Sequence, residues 1–163
     1  MASTSPSQIL VETPMPVFTP NKHEQEKVVA DKNKAQGIKF FKDNAEKTNV
    51  RTTPSGLQYM VIAEGTGDRV KYSDVVEVNF RGATIDGKEL DSSAKHGSSA
   101  ILPVNRMIKG FSEALQMMSV GSEWVIYVPP DLAYGDEGAG DDIPPGATLV
   151  FDIKVLSIKH SAS

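Results

Sequence analysis

The amino-acid sequence predicts an α+β fold in which an antiparallel sheet packs against one short central helix. Three apolar residues of segment 111–118 recur at helical spacing, whereas apolar and polar residues alternate over 76–81, as in a half-buried strand. Asp86-Gly87 is a strong signal for a hairpin between antiparallel strands. Four or five such strands with a single helix are typical of an α+β domain.

Residues 1–20 are predicted to form a disordered tail. Prolines at positions 6, 14, 16 and 20 exclude a continuous helix. The segment has no basic start and no apolar run long enough for a signal sequence or a membrane span. We therefore expect no membrane association and a cytoplasmic location, or a periplasmic one if the chain begins after a removed signal peptide.

Residues 21–53 are predicted to be a charged helix followed by a linker. Asn21 is a suitable N-cap, and Gly37 is expected to weaken the helix by about 1 kcal/mol relative to alanine. A partial apolar stripe runs along the helix: Val28, Ala35, Ile38, Phe41 and Ala45, with Phe40 beside it. The stripe either docks on the helix's own domain or provides a self-association surface. An obligate dimer usually buries more than about 1,000 Å², so this narrow stripe favours a monomer.

Residues 54–160 are predicted to form the main domain. The central helix is expected to end at Gly121 and to place Ser112 on its polar face. Segment 132–146 is long for a connection and carries Tyr134 and Ile143 among rigid turn residues, which favours a binding loop. The predicted strands are residues 57–62, 76–80, a strand returning from the hairpin near Leu90, 124–128 and 149–158.

Composition excludes several kinds of chemistry. The sequence contains no cysteine, which excludes disulfides, thiolate catalysis and cysteine-based metal sites. A net charge of −4 argues against nucleic-acid binding, because an acidic protein gains little from counterion release. No His or carboxylate cluster has metal-ligand spacing, and no Ser or Thr stands in a nucleophile motif. We therefore expect no bound metal.

Several runs of the sequence resemble, in the same order, the FKBP-type peptidyl-prolyl cis-trans isomerases. They are Val78-Asn-Phe-Arg-Gly82, Asp86-Gly-Lys-Glu-Leu-Asp-Ser-Ser93, Gly110-Phe-Ser-Glu-Ala-Leu115, Pro130-Asp-Leu-Ala-Tyr-Gly135 and Ile143-Pro-Pro-Gly-Ala-Thr-Leu-Val-Phe151. The resemblance covers residues 56–159. Two further runs are similar to bacterial enzymes of the macrophage infectivity potentiator type: Ser55-Gly-Leu-Gln-Tyr59 and Gly121-Ser-Glu-Trp124.

This resemblance implies a half-barrel sheet with the short helix in its concavity. It also implies that the protein isomerises X–Pro peptide bonds in unfolded or flexible polypeptides and so assists their folding, without a cofactor. A rival interpretation is a non-enzymatic peptide-binding chaperone or scaffold that uses the same pocket.

The resemblance further implies which residues build an apolar pocket. Phe111 would form its floor, where the family usually has tryptophan, and the Ile108 N–H would donate to the substrate carbonyl. Asp91 would supply a buried carboxylate and Tyr134 a hydroxyl at the rim. The walls would be formed by Phe80, Leu90, Leu102, Met107, Ile143 and Phe151.

These assignments have structural alternatives. Phe111, Leu102 and Phe151 could simply belong to the hydrophobic core, and Asp91 could close an Asx-type turn. Trp124, the single tryptophan, is expected to pack within its strand rather than in the site.

Two positions depart from the family pattern. Phe80 stands where tyrosine is usual, and His96 stands near a frequent arginine. Both changes remove hydrogen-bond donors from the neighbourhood of Asp91 but leave the apolar pocket unchanged. We therefore expect macrolide inhibitors such as tacrolimus and rapamycin to bind, more weakly than to relatives with the full set.

Overall fold

The computed structural model describes residues 22–139 and 143–159. This part of the chain contains two α-helices and seven β-strands. The helices are α1 (Lys22–Ala45) and α2 (Lys109–Met117). The strands are β1 (Val50–Thr52), β2 (Gln58–Ala63), β3 (Val75–Thr84), β4 (Glu89–Ser92), β5 (Ala100–Pro103), β6 (Glu123–Val128) and β7 (Leu149–Lys159). Three 3₁₀ turns lie at Ser93–His96, Val104–Arg106 and Pro130–Leu132. The predicted tail at 1–20 and the predicted N-cap Asn21 lie outside the described residues.

All seven strands join one antiparallel sheet. The order is β1-β2-β6-β7-β3-β4, and β5 pairs with β3 on the same edge as β4. Strand β3 is long enough to hold both partners, because β5 pairs with its first half and β4 with its second half. The hairpin predicted at Asp86-Gly87 connects β3 to β4. The predicted α+β fold with an antiparallel sheet is confirmed.

Two of the strands, β1 and β5, were not predicted. With three and four residues, they are too short to show a clear alternation of apolar and polar side chains. β1 lies within the segment predicted as helix and linker, so the sheet begins at Val50 rather than after Thr53.

The inner face of the sheet packs against α2. Inward residues of the three strands β3, β6 and β7 are fully buried with Leu115 of the helix: Val76, Val78, Ile126, Val128, Leu149, Ile153 and Val155. Truncating such a buried side chain to alanine typically costs about 2–5 kcal/mol, so this contact carries much of the fold's stability. The helix therefore occupies the concave side of the half-barrel, as predicted.

The short helix differs from its prediction in two details. Ser112 is only 7% exposed, although its polarity placed it on the solvent side. A helix surrounded on most of its circumference buries small polar residues as well, and Gln116 Nε2 donates to the Ser112 hydroxyl at 3.3 Å. The helix ends at Met117, and Gly121, at a φ of 95°, lies in the turn before β6 instead of ending the helix.

The long helix α1 packs on the outer face of the sheet. Tyr127 of β6 points away from α2, and its ring lies 5.6 Å from that of Phe40. Its strand partner Gln58 donates to the Phe41 carbonyl at 2.9 Å and accepts from Asn44 Nδ2 at 2.8 Å. The helix thus docks on its own domain, one of the two interpretations left open by the sequence.

Most of the predicted apolar stripe does not dock on the sheet, and that part of the prediction is wrong; of its five residues only Phe41 is half-buried. Val28 and Ile38 are 66% and 71% exposed. The buried face consists of small or polar residues seven positions apart, namely Ala30, Gly37 and Asn44. These small side chains allow the helix backbone to lie close to the sheet, and the ring contact of Phe40 with Tyr127 adds to the docking. Within the described residues, neither helix is long and apolar enough to cross a membrane.

Candidate active site

Three phenylalanines from three elements meet at the first turn of α2. The ring of Phe111 lies edge-on to Phe80 of β3, with centroids 6.1 Å apart, and edge-on to Phe151 of β7 at 5.3 Å. Interplanar angles of 87° and 82° match the arrangement that aromatic quadrupoles favour. Phe111 is 2% exposed, whereas Phe80 and Phe151 are half-buried. Phe111 therefore forms the bottom of the cluster and the other two rings form its accessible part.

Two glycines allow close packing around the aromatic cluster. A Cβ at Gly82 would lie 2.5 Å from Cε1 of Phe151, its partner across β3 and β7. A Cβ at Gly110 would lie 2.5 Å from Cγ1 of Val128. Gly82 thus leaves room for the Phe151 ring, and Gly110 lets the start of α2 approach β6. Neither was predicted as a site residue, although each lies inside a motif that carries the family resemblance.

The remaining predicted wall residues extend the same hydrophobic cluster. They are partly buried and pack against the core: Leu90, Leu102, Met107, Ile108 and Ile143. They come from β4, β5, the entry to α2 and the loop before β7. The structure thus gathers the predicted apolar residues into one cluster with Phe111. This placement is compatible both with a pocket and with the alternative that some of them belong to the core.

Ile108 occupies the N-cap position of α2. Its carbonyl accepts the Ser112 N–H at 3.0 Å, which begins the helix. No group in the described ranges accepts a hydrogen bond from the Ile108 N–H, as expected for an amide at a helix start. The position can therefore offer a backbone donor beside the aromatic rings.

The half-buried Asp91 lies in β4, next to Leu90. Its Oδ1 accepts the Ser92 N–H at 2.8 Å, a local bond close to the Asx-type alternative. Ser93 is buried in the 3₁₀ turn that follows β4, and its hydroxyl accepts the Phe80 N–H at 3.0 Å. This hydrogen bond joins β3 to the turn. Ser93 therefore helps to position Phe80, a role that was not predicted. The side chain of His96 lies outside the described part of the structure.

Tyr134 lies in a loop that we call the Tyr134 loop, residues 133–139 and 143–148. Tyr134 is 40% exposed, and its carbonyl accepts the Gly138 N–H at 3.2 Å. Ala139 and Ile143 exchange two backbone hydrogen bonds of 2.9 and 3.1 Å. The loop is therefore braced internally. It holds Ile143 against the core and leaves the Tyr134 side chain at the surface.

Among the described residues, the groups whose pKa departs from its ordinary value lie outside the aromatic cluster. The hydrogen bond from Arg81 lowers the pKa of Glu89, and hydrogen bonds from Ser99 and Ser157 lower that of Glu77. Burial, together with the neighbouring Glu123 carboxyl, raises the pKa of Asp152 to about 6. The described residues contain no group of three or more His, Asp or Glu side chains arranged to hold a metal ion.

Comparisons with known proteins agree with this geometry. A family model described as "FKBP-type peptidyl-prolyl cis-trans isomerase" matches residues 67–156, and another, "Domain amino terminal to FKBP-type peptidyl-prolyl isomerase", matches residues 4–61. The crystal structure of FkpA from Escherichia coli superposes with a TM-score of 0.82 at 36% identity, over 85% of this chain and 65% of that one. A peptidyl-prolyl cis-trans isomerase from Pseudomonas syringae gives a TM-score of 0.73 at 29% identity, over 88% and 100%.

Curated relatives include two bacterial proteins of similar sequence. The FKBP-type 22 kDa peptidyl-prolyl cis-trans isomerase of Escherichia coli (strain K12) is 47% identical over 76% of this chain and 60% of its own length. The outer membrane protein MIP of Legionella longbeachae is 44% identical over 82% of this chain and 57% of its own length. The chain thus spans about half to three fifths of such relatives.

The family model covers more than half of the chain and includes all three rings of the aromatic cluster. The resemblance stated from the sequence motifs is confirmed. The chain belongs to the FKBP-type peptidyl-prolyl cis-trans isomerase family.

Proposed function

We propose that this chain catalyses cis–trans isomerisation of X–Pro peptide bonds in unfolded or flexible polypeptides and so assists their folding. The observation that carries the proposal is the edge-on contact of Phe111 with both Phe80 and Phe151. Three converging aromatic rings next to a helix start provide an apolar surface against which a proline ring can pack. Family membership supports the same reaction.

The reaction requires rotation and no covalent chemistry. Amide resonance sets a barrier of about 18–20 kcal/mol for rotation about the X–Pro bond. The twisted transition state has less charge separation than either planar ground state, so an apolar environment favours it relative to water. Interactions that are stronger in the transition state than in the ground state accelerate the reaction. An enzyme of this kind needs no titrating group in its pocket.

We assign roles to the site residues on this basis. Phe111 supports the proline ring, and the Ile108 N–H donates to the carbonyl of the twisted amide. Tyr134 contributes a hydroxyl at the rim, and Asp91 accepts a hydrogen bond from the bound ligand. The partly buried apolar side chains around Phe111 exclude water: Phe80, Leu90, Leu102, Met107, Ile143 and Phe151.

The proposal includes the protein's binding partners and its location in the cell. The clients are proline-containing polypeptides, and tacrolimus and rapamycin bind the same pocket with reduced affinity. The chain acts as a monomer, without nucleic acid, membrane or cofactor. Its location is the cytoplasm, or the periplasm if a signal peptide precedes it. Because one relative is named an outer membrane protein, the periplasm is the favoured location of the two.

A protease-coupled assay on an Ala-X-Pro-Phe peptide tests the activity directly. Wild-type protein should accelerate isomerisation, and Phe111→Ala should lose most of the acceleration while remaining folded by circular dichroism. The matched control Trp124→Phe changes a buried aromatic residue that stacks on Tyr59 and has no ring contact with the three phenylalanines, and it should retain turnover. Binding of an unfolded proline-rich polypeptide without any turnover would favour the peptide-binding chaperone instead.

A further inference from the structure

Helix α1 contacts both described arms of the Tyr134 loop. Asn33 Nδ2 donates to the Pro145 carbonyl at 2.8 Å, and Lys34 Nζ lies 3.1 Å from Asp136 Oδ1. The ion pair is solvent-exposed and contributes little by itself. The Asn33 hydrogen bond is part-buried and joins residues 112 positions apart in sequence. One helical turn therefore reaches both sides of the loop.

Below these side chains, helix α1 and residues 146–148 of the loop approach each other closely at two glycines. A Cβ at Gly146 would lie 2.5 Å from the carbonyl oxygen of Ala30. A Cβ at Gly37 would lie 2.3 Å from Oγ1 of Thr148. Two glycines, one on each partner, are thus required for this contact. The docking of α1 on the loop depends on shape at least as much as on hydrogen bonds.

The arm that α1 holds is bonded to the arm that carries Tyr134. The Gly146 N–H donates to the Gly135 carbonyl at 2.9 Å, directly after Tyr134. Ile143 precedes the Asn33 contact at Pro145 by two residues. A displacement of residues 145–148 would therefore shift both predicted site residues of the loop.

We propose that α1 is a positioning element of the active site, acting through Asn33 and Gly37 on the Tyr134 loop. The inference rests on the proposed isomerase function and adds to it a set of residues on the outer side of the domain. None of them touches the aromatic cluster. Their effect on turnover passes through the placement of Tyr134 and Ile143.

A pair of substitutions separates docking from helix stability. Gly37→Ala raises the helix propensity of α1 but drives a methyl group into Thr148 Oγ1. Thr148→Ala removes that hydroxyl, which is buried without a hydrogen-bond partner among the described residues. In the double variant the new methyl would meet position 148 only at Cβ, at 3.6 Å, an ordinary contact. The double variant should therefore restore docking.

Two readouts on the full chain test the proposal: amide hydrogen exchange over the Tyr134 loop, and kcat and KM on an X–Pro tetrapeptide. Gly37→Ala should accelerate amide exchange at Gly138, Ile143 and Gly146. It should also lower kcat/KM about fivefold, the change that corresponds to the net contribution of one typical hydrogen bond. Thr148→Ala and the double variant should behave like wild type. Ile38→Ala, on the exposed face of α1, is the matched control and should change neither readout.

Asn33→Ala provides a second variant if Gly37→Ala does not fold. It should produce the same faster exchange and a similar loss of kcat/KM, and adding Lys34→Ala should increase both effects. Unchanged exchange in Gly37→Ala and Asn33→Ala would overturn the proposal. Faster exchange with unchanged turnover would overturn it too, because the helix would then hold the loop without serving catalysis. If wild-type protein has no turnover, the proposed function fails, and the exchange data still decide whether α1 holds the loop.

Discussion

Phe111 and Phe151 meet edge to face, with ring centroids 5.3 Å apart and planes inclined by 82°. Helix α2 supplies one ring and strand β7 the other, so the contact joins the helix to the sheet at the candidate site. Across β3, Gly82 leaves the space in which Phe151 lies.

Replacing Phe111 by alanine should cost on the order of 2–4 kcal/mol of combined stability and ligand binding. The physical reason is the loss of two edge-on ring contacts and the opening of a cavity under the site. Chemical unfolding and kcat/KM on the tetrapeptide measure the two parts separately. Phe111→Trp should be tolerated and keep activity. A folded Phe111→Ala protein with wild-type turnover would show that the ring belongs only to the core.

Gly82→Ala should lower both stability and turnover. The new methyl would lie 2.5 Å from Phe151 Cε1, and such overpacking costs about 1–3 kcal/mol. The strain should be relieved in the double variant Gly82→Ala/Phe151→Leu, whose smaller side chain leaves room for the methyl group. If Gly82→Ala alone unfolds at the same denaturant concentration as wild type, Phe151 can move away at no cost and Gly82 has no positioning role.

Phe80→Tyr should tighten the binding of tacrolimus while changing turnover little. Asp91 Oδ1 already accepts the Ser92 N–H, but a carboxylate has lone pairs for further donors, which a tyrosine hydroxyl can supply. Bonds to a charged acceptor contribute about 1.5–3 kcal/mol at most, and a partly exposed one contributes less. Inhibitor titration of both proteins at pH 7 makes the comparison. Equal affinities would mean that another group already satisfies Asp91, or that Asp91 does not face the pocket.

Stability should decrease as the pH rises through the titration of Asp152. Burial, with Glu123 beside it, raises the pKa of this carboxyl from 3.8 to about 6. Between these values the native state binds more protons than the unfolded state, so the free energy of unfolding falls with increasing pH and stays lower above pH 6. Because Asp152 is only partly withdrawn from solvent, we expect a loss of no more than about 1 kcal/mol.

The variant Asp152→Asn should remove this pH dependence. Urea unfolding at pH 4 and pH 7 should give a gain in stability over wild type at pH 7 and none at pH 4. Glu123→Gln removes the neighbouring carboxyl and should reproduce part of the gain. A loss of stability in Asp152→Asn at pH 7 would mean that the attraction of Arg81 outweighs the cost of burial.

Asn44→Ala should destabilise the docking of α1 by about 1–3 kcal/mol, because it leaves the buried Gln58 acceptor without its donor. The double variant Asn44→Ala/Gln58→Ala should cost less than the sum of the two single variants, since the Gln58 side-chain oxygen is then removed together with its donor. Chemical unfolding provides all four values of the cycle. Additive costs would show that the two amides do not interact in solution.

Local patterns predicted the hairpin, the short helix and the longer strands, because each of these features depends on residues close in sequence. The Asp86-Gly87 hairpin, the spacing of Phe111 and Leu115 and the alternation in β3 each lie within one short segment. The family motifs likewise named the aromatic cluster before its geometry was known. For these features the chain carries its own signal, since a turn, a helix face and a strand face are set by local periodicity.

The docking face of α1 could not be predicted in this way. Hydrophobicity pointed to Val28 and Ile38, but the buried face contains Gly37 and Asn44, because Thr148 and Gln58 happen to lie opposite them. In the sequence Gly37 indicates only a weaker helix. Its value as a point of close approach exists only once β7 and the Tyr134 loop are folded beneath it. Contacts between segments a hundred residues apart are decided by shape and partner, and no local period encodes them.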